Sequence, residues 1–524
     1  MRHLSGLDAT FLHVETPEMP MHVGALNLLE PPDDLEGEFI DAVKLHIAAR
    51  MHLASIFTKK LALMPFDLAN PVWVDDDDVD LDYHIRQITL PKPGTQQQLE
   101  AYVGRLHSSL LDRSRPLWEF YVFNGLQSGQ VAFYSKIHHA ALDGQGGVVL
   151  AQTLLDVTAV PREVEPPPPH DKAPYQPPMS AMVSAALRNT AAQCLKIVKG
   201  VPGGVKAAAG LLAPSRDEDG KRRLGWPKGW TLAPKTPLNV SITNQRVFAT
   251  ATIPLPEVAG IGKAFGATLN DAVLAIVSGA LRRYLELHDA LPVKSLVAAL
   301  PISLRAEGNT DMNNQVSMML LSLASDEEDP ARRMRAIVKA SAAMKRTLSS
   351  AKAIMPTDFP SLGVPWLMSG LVSLYGRSRL ADALPPVANV VVSNVPGPRV
   401  PLFLAGARML SNYPVSIVTH GLALNVTLQS YNGMLDFGLI ACRRAVPDVR
   451  DFADCLNAAH AELLAVTRAM AADAAPVPVK PARKRATAKV SALKPAPAKR
   501  ATAAVKADSN PESAPKRRTR NKAA

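Results

Sequence analysis

The sequence predicts an α/β (α+β) protein, with two sheet-containing halves joined by a long linker and followed by a disordered basic tail. Three observations predict it. Apolar or alternating runs of strand length recur between helix-period segments, both before residue 161 and after residue 240. Between them lies a proline-rich stretch, Pro166 to Pro169 and then Pro174, Pro177 and Pro178, which is extended and semi-rigid. From residue 474 the composition falls to Ala, Pro, Lys and Arg, which offers too few large apolar side chains for a core. The boundaries that follow are 1–160, 161–240, 241–473 and 474–524.

A chain of 524 residues, 47% hydrophobic, is long enough for two or three domains with sizeable cores. The three cysteines, Cys194, Cys442 and Cys455, lack metal spacing and suit a reducing compartment. No apolar stretch near the start has signal-peptide length, so secretion is not expected. No run of eighteen or more apolar residues appears, so a spanning helix is not expected either. The net charge of +11 is concentrated in the tail, which holds fourteen Lys and Arg against Asp508 and Glu512. The body before it carries 44 basic and 45 acidic residues, a net of −1. Such a tail suits DNA, anionic lipid or polyphosphate through counterion release; a plain solubilising extension is the alternative.

In the first half, residues 4–12 start an amphipathic segment and Met21–Leu29 reads as a strand. His22 falls in that apolar run and is expected to be structural. Residues 36–56 and Thr95–Leu111 read as helices, and Phe120–Phe123 as a strand. Val131–Ile137 then alternates as a half-buried strand, with Val131, Phe133, Ser135 and Ile137 on one face and Ala132, Tyr134 and Lys136 on the other. It runs into His138-His139, then Asp143 and Gly144, where the glycines permit a sharp turn. Val148–Val157 follows at near-helical spacing. Strand, histidine pair, turn carboxylate and helix together suit general-base chemistry, because a neutral imidazole takes a hydroxyl proton as that oxygen attacks. Asp143 either orients a histidine ring or braces the turn against an Arg. No metal is expected, since one turn carboxylate without a nearby Cys makes a poor third ligand.

The linker carries an expected helix over 181–199, then Trp226 and Trp230 among basic residues. A membrane-interface contact and a helix packed on the two halves both fit it. In the second half, Gln245–Leu255 reads as a strand and Pro256–Phe265 as a short helix. Thr268 with Asp271 three residues on has the spacing of a capping box before a long helix. Ser295–Ile302, Gln315–Leu323 and Val387–Val392 read as strands. Asp329-Pro330 starts another helix. Asn432-Gly433 joins two apolar runs as a hairpin, and Val449–Ala469 closes the body as a helix.

Several stretches together carry a resemblance: LSGLDATFL at 4–12, PMHVGAL at 20–26, LDRSRPLWE at 111–119, HHAALDG at 138–144, NDAVLA at 270–275, PISLR at 301–305 and SNVPGP at 393–398. The sequence resembles the bacterial wax ester synthase/diacylglycerol acyltransferase family, a branch of the CoA-dependent acyltransferases that includes chloramphenicol acetyltransferase. The resemblance implies two related mixed-sheet domains, with the histidine motif facing a tunnel between them. It implies transfer of an acyl group from acyl-CoA, a substrate and not a cofactor, to diacylglycerol or a long-chain alcohol. On that reading His139 is the base, His138 shapes the site and Asp143 and Gly144 hold the turn. Asn270 and Asp271 support activity, or merely start their helix. Ser393, Asn394 and Gly397 line the CoA or oxyanion region through exposed backbone N–H groups, or only form a turn. No covalent acyl-enzyme is expected. The enzyme would sit in the cytoplasm, peripheral to the inner membrane face or to lipid droplets. The alternatives are a condensation-type or polyketide-associated transferase with another acceptor, and a non-enzymatic lipid-droplet or nucleoid anchor.

Overall fold

The computed structural model describes residues 2–4, 6–62, 71–76, 78–142, 146–166, 215–216, 222–223, 232–303, 316–351, 378 and 380–474. Asp143, Gly144, the linker helix expected over 181–199, Trp226, Trp230 and the tail from 475 lie outside the described residues.

Two six-stranded mixed sheets carry the body. The first runs in the spatial order Phe403–Leu404, Ala407–Val415, His22–Glu30, Val131–His138, Trp118–Asn124, Ile85–Thr89. Its neighbours are antiparallel except the last pair, which is parallel. Val131–His138 is central, and its burial corrects the half-buried expectation. Phe133 and Ile137 pack with helix Phe39–Ala48, while Ala132 and Tyr134 pack with helix Gln96–Ser108 and with Phe248, Tyr413 and Ile440 of the second half. A strand sandwiched this way has no solvent face. Helix Gln96–Ser108 starts on a capping box in which Thr95 and Gln98 satisfy each other's backbone N–H groups.

The second sheet has the order Arg246–Pro254, Met434–Cys442, Leu424–Tyr431, Val390–Val395, Val297–Ser303, Val316–Ser322. Helices Leu255–Ala264, Leu269–Leu287, Pro330–Ala351 and Val449–Ala474 pack their apolar stripes into its core. The hairpin turn is at Asn432-Gly433, with φ of 43° and 84°, the positive pair that a type I′ turn needs. Among the described residues no single helix is long and apolar enough to cross a membrane.

One connection differs from the division at 241–473. Ala407–Val415, late in the chain, leaves the second half and pairs antiparallel with His22–Glu30, from Arg408 opposite Glu30 to Val415 opposite Gly24. This crossover strand is also tied to the second sheet. The buried Asp436 carboxylate accepts from the Asn412 N–H at 2.8 Å and the Thr252 hydroxyl at 2.9 Å. At Gly438 the backbones come so close that an added Cβ would stand 1.6 Å from the Pro414 oxygen. A second tie links the halves along an edge. Glu100 accepts from the Thr250 N–H and hydroxyl at 3.0 and 2.6 Å and pairs with Arg450, so the edge strand Arg246–Pro254 is covered by the first half's helix.

Gly438→Ala should therefore cost about 3 kcal/mol or more, at or beyond the upper end for overpacked sites. Gly260→Ala, on a helix with nothing near the new methyl, should be neutral or stabilising by up to about 1 kcal/mol. Urea-unfolding midpoints of the two variants check this. Equal midpoints would contradict the close approach.

Candidate active site

The histidine pair sits where the central strand ends, and neighbouring motifs grip it by backbone. The His138 N–H donates to the Leu117 carbonyl at 3.0 Å, and the His139 N–H to the Met21 carbonyl at 2.8 Å. So the PLW and PMH stretches hold the strand end from either side. The backbone then tightens into a 3₁₀ turn, His139–Ala141. His138 caps that turn: its Nδ1 accepts from the Ala140 N–H at 3.1 Å. That bond places the ring proton on Nε2, which lies 3.3 Å from Glu15 Oε1 in a bent contact.

Glu15 is the residue that the sequence reading missed. Its side chain is 2% exposed. Arg113 donates to Oε2 through Nη2 at 2.7 Å and Nε at 3.2 Å, and the Met21 N–H donates to Oε1 at 3.0 Å. Burial alone would raise the Glu15 carboxyl. The contact with the His138 ring N–H, then the Arg113 charge and the Met21 N–H, outweigh it and hold the group down at about 2. Glu15 is thus an anion that fixes the tautomer of His138. Arg113 belongs to the LDRSRPLWE stretch, so that stretch reaches the histidine pair through Glu15.

His139 is placed differently. Its ring stacks on Phe11 with centroids 3.9 Å apart and planes 16° from parallel. It is partly exposed, whereas His138 is fully buried. Its Nδ1 is buried and makes no hydrogen bond among the described residues. Burial pushes the ring down to about 4, the neighbouring His138 adds to this, and the ring's own backbone carbonyl opposes it. The imidazole is therefore neutral at neutral pH and can accept a proton.

His22 lies opposite His138 in the sheet and is fully buried. Its Nε2 donates to the His107 carbonyl at 2.7 Å, and His107 in turn accepts from the Tyr134 hydroxyl at 2.7 Å. Burial holds both rings neutral, His107 at about 3.

In the second half, Asp271 serves its helix start. Oδ2 accepts from the Thr268 N–H at 3.0 Å and hydroxyl at 2.7 Å, which completes the capping box. Asn270 Oδ1 accepts from Asn394 Nδ2 at 3.4 Å, so the ND and SNVPGP stretches meet. Ser393 lies on the strand opposite Thr427. The expected free N–H at Gly397 is not there: it donates to Ser430 Oγ at 3.0 Å, and a Cβ on Gly397 would stand 2.2 Å from the Ser430 oxygen. Gly397 is glycine for close approach, and its N–H is not available to an oxyanion.

A cleft of about 910 Å³ opens at the junction of the halves. One wall is helix Gly146–Leu154 and the segment after it, and the other is the loop from Val395 to Pro398 with Leu402 and Gln429. His139 is not among its lining residues. The helix wall begins just beyond Asp143 and Gly144, which lie outside the described residues. The structure therefore joins His138, His139 and Glu15 in one group and Asn270 with Asn394 in another.

The depressed Glu15 group makes a prediction. Its folded-state value lies below the ordinary carboxyl value of 4.5, so its ionised form stabilises the fold above about pH 4.5, and the contribution fades as pH falls toward 2. Parent and Glu15→Gln should differ by on the order of 3 kcal/mol at neutral pH, with more than half of that gap gone by about pH 3. Urea unfolding from about pH 6 to 3 reads the gap. A gap that stays constant over that range would contradict the assignment.

Comparison with known proteins identifies the family. The model of the wax ester synthase/diacylglycerol acyltransferase catalytic domain matches residues 4–273, and that of the family's C-terminal domain matches residues 312–464. A Mycobacterium tuberculosis H37Rv protein, named as a diacylglycerol O-acyltransferase, is 39% identical over 465 residues, covering 88% of this chain and 99% of its own. The O-acyltransferase WSD of Acinetobacter baylyi is 33% identical over 462 residues, covering 86% of this chain and 94% of its own. The solved wax ester synthase/diacylglycerol acyltransferase of Marinobacter aquaeolei VT8 superposes with a TM-score of 0.63 at 31% identity, covering 89% of this chain and 100% of its own. The first condensation domain of the CDA synthetase shares the fold alone, with a TM-score of 0.50 at 14% identity over 90% of this chain and 97% of its own. The chain belongs to the wax ester synthase/diacylglycerol acyltransferase family.

Proposed function

We propose that this acyltransferase moves a long-chain acyl group from acyl-CoA to diacylglycerol, to a fatty alcohol or to both, with His139 as general base. The observation that carries the base assignment is the pairing of the two rings. His138 is locked by Ala140 and Glu15, while His139, next to it, is neutral, partly exposed and stacked on Phe11.

The acceptor oxygen attacks the thioester carbonyl carbon, and its proton passes to His139. The carbon–sulfur bond then breaks, and the imidazolium returns the proton to the departing CoA sulfur. Timing follows from acidity. An alcohol is a far weaker acid than the imidazolium of a ring whose value burial has lowered, so full deprotonation before attack would be steeply uphill. Proton transfer must accompany carbon–oxygen bond formation, as general-base catalysis requires. No covalent acyl-enzyme forms on this route. Both substrates are greasy: a sixteen-carbon chain offers roughly 12 kcal/mol on full transfer from water. That supports work at a lipid surface, on the inner membrane face or a lipid droplet, from the cytoplasmic side. The tail's fourteen cations suit an anionic surface or polymer there.

Palmitoyl-CoA with dipalmitoylglycerol or hexadecanol should give acceptor-dependent thiol release, and His139→Ala should lose about 10²–10⁴-fold. Because the ring's folded value is depressed, the unprotonated base persists on acidification. Activity should hold from neutral pH to about 5 and fall below that. Turnover equal in parent and variant would defeat the assignment of His139.

A further inference from the structure

Two of the contacts that hold the histidine pair come from the ends of one short turn. Glu15, which faces His138, precedes the turn, and Met21, whose carbonyl takes the His139 N–H, follows it. Met21 also gives its own N–H to Glu15 Oε1 at 3.0 Å, so the segment closes on itself. Within it the Met19 N–H donates to the Thr16 carbonyl at 2.9 Å, and the Thr16 N–H to the Met19 carbonyl at 3.3 Å. Pro17 stands second in that turn, where its fixed φ suits the geometry. A segment tied this tightly moves as one piece, so a shift at its tip reaches both histidines.

The tip is held from the other half. Arg246 opens the edge strand Arg246–Pro254, and its Nη2 donates to the Glu18 carbonyl at 2.6 Å. The base of this arm is fixed: the Arg246 N–H donates to Ser108 Oγ at 3.1 Å, and Nη1 is turned onto the Thr243 and Gln245 carbonyls. Arg246 is 6% exposed. Burial brings its guanidinium down to about 10, so it is still a cation at neutral pH, and among the described residues no carboxylate pairs with it. A buried cation without a counter-ion is costly, and an apolar side chain would fill the same space at less cost. What the guanidinium adds is the bond across the junction. The exit of the turn is pinned from the same side. His22, which follows Met21, donates to the His107 carbonyl at 2.7 Å, and His107 Nε2 donates at 2.9 Å to the carbonyl of Ser416, just past the crossover strand.

We propose that Arg246 is a positioning residue for the histidine pair: by holding the Glu18 carbonyl it keeps the Glu15 carboxylate on His138 and the Met21 carbonyl on the His139 N–H, so that the second half sets the geometry of a site built from the first. The assignment rests on the reading of this pair as the catalytic site and adds the side chain through which the other half acts on it.

Arg246→Met keeps the bulk and removes the donors. With palmitoyl-CoA and hexadecanol it should lower kcat about 10–100-fold, the scale of a small misplacement of reacting groups, and leave both KM values within about two-fold. Its effect should be coupled to that of Glu15→Gln: the double variant should turn over about three-fold or more faster than the product of the two single losses. Hydrogen exchange of the full-length protein, read by mass spectrometry, needs no turnover. In Arg246→Met the amides within 15–22 and 137–142 should exchange on the order of ten-fold faster, while those of Val297–Ser303 keep the parent's rate. Thr250→Val loosens the other tie between the halves, at Glu100, without reaching the turn, and should leave kcat within about two-fold. Unchanged kcat in Arg246→Met, a double variant at the product of the single losses, or exchange that quickens equally along the chain would each overturn the proposal. So would an equal loss of kcat in Thr250→Val, since any loosening of the halves would then suffice. A parent protein that transfers no acyl group, with exchange responding as expected, would sink the transferase reading while leaving the hold on the histidine pair standing.

Discussion

The site depends on a strand that is buried on both faces yet ends in polar residues. Lys136, Tyr134 and His138 project from one face of Val131–His138 into an interior without solvent. A buried charge or polar group without a partner costs several kcal/mol, so each must be satisfied locally. Lys136 pairs with Glu119 at 3.2 Å, and Glu119 also accepts from the Tyr121 hydroxyl at 2.7 Å. Tyr134 gives its proton to His107. His138 takes a backbone N–H on one nitrogen and offers the other to Glu15. These partners leave the strand end no freedom, and His139, one residue on, inherits that rigidity. A side chain held in this way needs no reorganisation when a ligand arrives, which is the main benefit a fixed site confers.

The halves are joined by more than a linker. Glu100 and Arg450 tie the helix of one half to the edge strand of the other, and Asp436 ties the crossover strand to the second sheet. The interior between the sheets is one apolar cluster drawn from both, in which Tyr134 and Ala132 meet Phe248, Tyr413 and Ile440. The cleft has one wall from each half, so its width is set by these contacts and not by either half alone. The same contacts bring the first half's helix beside the Val395–Pro398 loop.

What the sequence disclosed was local. Thr268 with Asp271, and Asn432-Gly433, each encode a structure in four residues or fewer, and both form as their spacing requires. The histidine strand was legible because its alternation and its end lie together. Glu15 was not legible, because nothing nearby marks it. Its partners are Arg113, 98 residues away, and His138, and only the fold brings them to it. The crossover strand was hidden for a related reason. Its buried side chains, Ala407, Met409, Ser411 and Tyr413, do alternate. But a register shift between Met409 and Ser411, and Pro414 near the end, blur the pattern. Sheet membership is a long-range fact that no window of residues contains. Gly397 shows the converse: a Gly-Pro loop advertises free N–H groups, yet the close approach of Ser430 decides their use.

The late arrival of Ala407–Val415 in the first sheet has a consequence for how the protein is made. A ribosome emits residues in order, so His22–Glu30 is complete long before the segment that pairs with it exists. Until then one long border of that nascent sheet stands unpaired, open to any stray chain. The amino-terminal portion is thus committed to waiting for nearly four hundred further residues before its last border closes. Fragments ending short of that segment would be sticky intermediates and not small enzymes.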